Sequence, residues 1–202
     1  MLTFRIRNTR LHLSIWFFAI LYLFLIMDRQ QFYPLFFGSI FLHEAAHLII
    51  MIWWKKKILS ISLLPFGIRV SAEETVIQSY GQEISITLAG PLANFICAAV
   101  CLWCLSFHQS LPLAVSAAVN LVLGAFNLLP IGVLDGGRLL TQFLQMRGCQ
   151  KTEKITSTVS LLFLLPLLSF SIWLFLFHGH NPSLLITGIY LTSTAIFKAT
   201  KN

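Results

Sequence analysis

Charge is what this chain has least of: Asp, Glu, Lys and Arg make up 10% of its 202 residues, where a soluble domain carries about a quarter. That shortage excludes an ordinary water-facing surface. With 57% of residues hydrophobic, lipid is the solvent expected for most of the outside. Aspartate is scarcer still, with Asp28 and Asp135 alone. Cysteine is limited to Cys97, Cys101, Cys104 and Cys149, which do not form a secreted disulfide framework. The first three recur at i, i+4 and i+7 and share one face of a helix. Small polarizable residues at a helix contact are the plain reading, with a metal or redox cluster as the alternative. Arg5, Arg7 and Arg10 precede an apolar run as in a signal peptide, yet no small-residue cleavage site follows. The run is therefore expected to remain as a first transmembrane helix. The net charge of +7 does not indicate nucleic acid, because the basic residues sit between apolar runs, as in a membrane protein.

Six apolar stretches, roughly 11–27, 32–54, 84–107, 111–130, 155–177 and 183–197, approach the length of about 17–25 residues that a span needs. The expectation is an all-α multi-pass membrane protein of about six transmembrane helices. If the N-terminus is cytoplasmic and each stretch crosses once, every Lys and Arg except Arg29 falls on the cytoplasmic side. The positive-inside rule thus places both termini in the cytoplasm. Between the second and third stretches, ILSISLLPFGIRV (58–70) alternates in polarity and carries Pro65 and Gly67 as a turn. It predicts a small cytoplasmic-side β element after the second helix, either an interfacial loop or an edge for an extended substrate.

The sharpest chemical signal lies inside the second stretch, where His43, Glu44, Ala45, Ala46 and His47 form HExxH. Residues four apart in a helix are offset by about 40° and one turn in height, so both imidazoles can hold one ion. Glu44, beside the first ligand, can act on a metal-bound water without binding the metal. The competing reading is a buried polar cluster that ties helices together. Catalytic zinc usually takes three protein ligands. Of the two aspartates, Asp28 falls on the opposite membrane face. Asp135 lies in NLLPIGVLDGGR (127–138), where Pro130 ends the fourth stretch and Gly132, Gly136 and Gly137 permit a tight, irregular backbone. A loop bearing a carboxylate is tolerated at membrane depth when protein covers it or water reaches it. Otherwise Asp135 is an ordinary turn residue before glycine.

HEAAH in a transmembrane helix followed by NLLPxxxLDGG resembles the site-2 protease family of intramembrane metalloproteases. LLPFG (63–67), the Glu73-Glu74 pair and LAGPLAN (88–94) extend the resemblance toward its sporulation subgroup, which cleaves the pro-form of a sigma factor. It implies zinc held by His43, His47 and Asp135, with Glu44 as general base. Asn127 would be a polar partner for substrate or oxyanion, although capping the break before Pro130 accounts for it equally well. It implies a membrane-associated protein substrate, inhibitory membrane partner proteins and a location around the forespore. Val133 stands where the family often has a second proline. The subgroup commonly continues into a nucleotide-sensing CBS domain, and the expectation for residues 1–202 is a single membrane-embedded protease domain without one.

A divalent-metal transporter is the alternative, using the same His and Glu as a transit site. It needs polar residues along a path, and Asn94, Asn120 and Asn127 are the candidates. A non-enzymatic scaffold is a third reading. His178 and His180 read as an external polar loop or a His-x-His metal site, and His12 and His108 as interfacial rings.

Overall fold

The computed structural model describes residues 2–6, 9–13, 22, 32–56, 58–64, 67–72, 79–178 and 188–193. The chain folds as two compact units, Met1–Gly124 and Ala125–Asn202.

The first unit begins with strands rather than a helix. β1 (Leu2–Ile6) pairs antiparallel with β2 (Thr9–Leu13), which pairs parallel with β3 (Ile58–Leu64); β4 (Gly67–Ala72) then closes a hairpin on β3. The order is β1-β2-β3-β4, with Leu2 opposite Leu13, Leu13 opposite Leu63 and Ser62 opposite Arg69. Parallel neighbours need a long crossover, and here it contains the helix α1 (Tyr33–Trp53).

Two expectations change. The chain is mostly helical but not all-α. The first span cannot start at residue 11, because residues 9–13 are strand. The reason is visible in the sequence: LTFRI and TRLHL alternate apolar with polar residues, the period of a strand and not of a span. His12, expected as an interfacial ring, sits half-buried in β2. The rest of the first stretch, apart from Tyr22, lies outside the described residues, as do Pro65, Phe66, Glu73, Glu74 and His180.

α1 carries Pro34 in its first turn, where its missing N–H would have no internal acceptor. Lys55 adopts a left-handed φ of 54° and stops the helix. The next helix, α2 (Tyr80–Leu105), opens on a capping box. Ser79 Oγ accepts from the Gln82 N–H at 3.4 Å, and Gln82 Oε1 accepts from the Ser79 N–H at 3.2 Å. α3 (Leu111–Asn127) has 17 residues, about 26 Å at 1.5 Å per residue, and falls short of the roughly 30 Å hydrocarbon core. Its last three residues belong to the second unit.

Beyond Asn127 the chain turns tightly, with Leu128 N–H on Ala125 O and Leu134 N–H on Ile131 O at 2.8 Å. α4 (Asp135–Met146) and α5 (Thr152–His178) follow. Ile131 and Leu164 are fully buried and form a core with Leu191, packed round by Phe126, Leu129, Leu134 and Leu167. The loop is held to α5 by Ser160, whose Oγ accepts from the Gly132 N–H at 2.8 Å and donates to Thr156 O at 2.6 Å. Residues 131–134 are the irregular segment expected, but Gly136 and Gly137 are helical. A Cβ at Gly136 would collide with the carbonyl of Leu128, and one at Gly137 with that of Ile131. These glycines serve close approach of helix to loop, not an irregular backbone.

Among the described residues, three helices are long and apolar enough to cross a membrane: Tyr33–Trp53, Tyr80–Leu105 and Thr152–Phe177. Of the remaining expected spans, 111–130 contains a shorter apolar helix, Leu111–Asn127, and 183–197 is described only at 188–193, which is helical. The large apolar side chains Phe41, Ile49, Trp103, Leu162 and Leu176 point outward, while Ser39, His43, Thr87, Asn94 and Asn120 are buried. That inversion suits a lipid solvent, where polar groups must find partners inside.

Gly136→Ala should lower stability by about 1–3 kcal/mol, the usual cost of overpacking. Ser160→Ala should cost about 1 kcal/mol, that of a lost hydrogen bond. Unfolding in detergent measures both, and unchanged midpoints would contradict this description of the turn.

Candidate metal centre

α1 carries its polar residues on one side, and there it packs against α2. His43 is 5% exposed and His47, one turn on, is half-buried. Their rings meet edge to face, with centroids 4.8 Å apart and planes at 79°. Each ring is fixed through its Nδ1. His47 Nδ1 lies 2.7 Å from the backbone carbonyl of Ile86. A carbonyl can only accept, so this nitrogen carries the proton. His43 Nδ1 lies 2.6 Å from Asn94 Oδ1, also an acceptor.

In neutral rings with the proton on Nδ1, the Nε2 lone pairs lie on the facing sides, and the two Nε2 atoms are 3.1 Å apart. Two neutral imidazoles do not gain by that arrangement. A cation between them does. Two nitrogens bound to tetrahedral zinc at about 2.0–2.1 Å would lie about 3.3 Å apart, within a few tenths of an ångström of the spacing here. The partner on each Nδ1 is the usual second contact of a metal-bound histidine. The imidazole pair therefore fits a zinc ion.

The surroundings leave room for such a pair only because residue 90 is glycine. A Cβ there would lie 2.7 Å from His43 Nε2 and closer still to His47 Nε2. Glu44, about 100° round the helix from His43, is half-buried. In the second unit, Asp135 is the first residue of α4 and 8% exposed, while Asn127 is the last residue of α3 and half-buried.

Cys101 is buried and Cys97 and Cys104 are half-buried on α2; all three are free thiols. Cys101 Sγ donates to Ser116 Oγ at 3.6 Å, a helix contact as the plain reading expects. The sequence reading gave Asn94 and Asn120 no part in the site and did not single out Ser39 or Gly90. The signal was present in LAGPLAN: glycine and asparagine four apart, in the middle of an apolar span, where an amide must find a partner.

The chain matches the model of peptidase family M50 over residues 31–113 and 108–167. It is 36% identical over 131 residues to a zinc metalloprotease of Methanocaldococcus jannaschii, a match that covers 62% of this chain and 38% of that protein. It is 32% identical over 131 residues to stage IV sporulation protein FB of Bacillus subtilis, covering 62% of this chain and 45% of that protein. The matched stretch thus spans less than half the length of either relative. Among solved structures it is similar to a site-2 protease from Methanocaldococcus jannaschii, with a TM-score of 0.64 and 27% identity over 98% of this chain and 94% of that one.

Gly90→Ala should push the two rings out of register and lower the zinc bound by purified protein by at least tenfold, a loss typical of disturbed ligand support. Metal content after equilibration with limiting zinc reads this out. Unchanged loading would show that the close approach of α2 is not needed.

Proposed function

Because this chain belongs to peptidase family M50, we propose that it is an intramembrane zinc endopeptidase, with His43, His47 and Asp135 as the zinc ligands and Glu44 as its general base. The observation that carries the reading is the pair of Nε2 lone pairs converging at 3.1 Å. Two imidazoles and one carboxylate make a donor set that catalytic zinc takes, with a fourth position left for water or substrate. Residues 1–202 would act as one membrane-embedded protease domain.

Bound zinc would supply a Lewis acid for the scissile carbonyl and bring the pKa of water toward about 7. The Glu44 carboxylate would take the proton of the attacking water and return it to the leaving amine nitrogen. Asn127 would donate its amide N–H to the substrate or to the oxyanion. A transmembrane substrate helix hides its carbonyls in i to i−4 bonds, so the cleaved segment has to unwind. β4, an edge of the described sheet, would offer the extended segment a pairing partner.

The distribution of Lys and Arg supports cytoplasmic termini and a cytoplasmic β element. The sporulation relative, 32% identical over part of the chain, and the sequence resemblance support a membrane-associated sigma-factor precursor as the first substrate to try. They also support placement around the forespore and inhibitory membrane proteins as partners. Transport is disfavoured because Asn94 and Asn120, two residues a polar path would use, are buried and hydrogen-bonded to helix residues and to His43.

Glu44→Gln should keep about one zinc per chain and slow cleavage by roughly 10²–10⁴-fold, the usual worth of general acid-base catalysis. Asp135→Ala should lose zinc and cleavage together. Co-expression with tagged candidate pro-proteins, read beside metal analysis of the purified variants, tests both. Full activity in Glu44→Gln would remove that residue from its role, and full zinc loading in Asp135→Ala would remove the third ligand. Reporter fusions at residues 1 and 202 should both report the cytoplasm, and an external signal from either would overturn the topology.

A further inference from the structure

We propose that Asn94 is a positioning residue for the metal centre: locked by Ser39 and Asn120, its side-chain amide holds His43 as the Nδ1–H tautomer, the form whose Nε2 can take a metal. The inference rests on the reading of His43 as a zinc ligand.

An asparagine amide has two ends of nearly the same shape, so its orientation has to be argued from partners. Asn94 is fully buried, and its Nδ2 lies 3.2 Å from the backbone carbonyl of Ser39. That carbonyl only accepts, so the contacting atom must be the NH₂ end. The same Nδ2 donates to Asn120 Oδ1 at 2.8 Å. Asn120, 1% exposed, is oriented in turn because its Nδ2 donates to the Ser116 carbonyl at 2.9 Å and to Ser39 Oγ at 2.8 Å. Ser39 Oγ passes its own proton to the Leu35 carbonyl at 2.8 Å. Every donor in the relay ends on a carbonyl oxygen or on Ser39 Oγ, whose own proton goes to Leu35 O. Only Oδ1 of Asn94 is left to meet His43, and Oδ1 requires a proton on Nδ1.

Three helices each contribute one member: Ser39 from α1, Asn94 from α2 and Asn120 from α3. The side chains of all three are buried, where leaving a polar group unpaired is costly. The relay is therefore stiff, and its stiffness is delivered to one ring nitrogen. His47 differs. Its Nδ1 is held by the main-chain carbonyl of Ile86, which no side-chain substitution removes. Control of the tautomer through a side chain is thus confined to His43.

Full-length protein in detergent, as wild type, Asn94→Leu and Asn94→Asp, separates positioning from simple packing. Zinc affinity is read by competition with a chelator. Ring ¹⁵N resonances of the metal-free protein report the tautomer, with His43 assigned by its loss in His43→Gln. Leucine fills the space without an acceptor and should weaken zinc by about 10–100-fold, the range for outer-shell partners. Aspartate keeps an acceptor for the Nδ1 proton and should stay within a few-fold of wild type. Metal-free wild type should carry the His43 proton on Nδ1, and Asn94→Leu should move it toward Nε2.

Equal zinc affinity in wild type and Asn94→Leu would overturn the proposal, as would aspartate behaving like leucine. If the leucine variant does not fold, the wild-type spectrum alone decides, and an Nε2 proton there overturns it. A wild type that binds no zinc, yet shows the Nδ1 proton and its loss in Asn94→Leu, would overturn the zinc reading and leave the relay standing.

Discussion

Two imidazole nitrogens that both lack a proton face each other across 3.1 Å, and the first unit is organised around that confrontation. Each ring is committed through its far nitrogen, one to a backbone carbonyl and the other to a buried amide. The facing pair has the spacing of two nitrogens that could hold one metal ion. Gly90 belongs to the same constraint, since a methyl group there would occupy the space of the two rings. A helix pitch that stacks residues four apart, a glycine on the neighbouring helix and an asparagine four residues after it are the elements this geometry needs.

The solvent explains why the rest of the chain accepts the arrangement. Lipid gives apolar side chains little reason to turn inward, and many large aromatics and leucines face outward. Van der Waals packing and interhelical hydrogen bonds are what hold membrane helices together, with small and polar residues at their contacts. Ser39, Asn94 and Asn120 therefore do two things at once: they join three helices and they fix a ring. In the second unit the same logic appears in another form. Gly136 and Gly137 bring α4 onto the carbonyls of the preceding turn, and Ser160 bridges that turn to α5.

Much of this was legible in the amino-acid order. HExxH, the scarcity of aspartate and the apolar runs pointed to the chemistry and to the membrane, and the alternation at 58–70 to a hairpin, because each is a local pattern with a local cause. The N-terminal strands were misread because Arg5, Arg7 and Arg10 suggested a flank to a span, and that impression hid the two-residue period around them. Gly136 and Gly137 were misread because a glycine pair signals a flexible turn more often than a helix pressed against a carbonyl, and only the fold distinguishes the two. Asn94 escaped notice as a site residue for a related reason. Its partners Ser39, His43 and Asn120 are 26–55 residues away in sequence, and no local pattern connects them.

The proposed site places one zinc ion against His43 and His47. X-ray absorption at the zinc edge, on protein purified without added metal, addresses it most directly. About one zinc per chain is expected, with imidazole scattering and nitrogen or oxygen neighbours at about 2.0–2.2 Å. A metal-free chain that still hydrolyses peptide bonds would contradict it, as would a zinc shell without histidine or one dominated by sulfur.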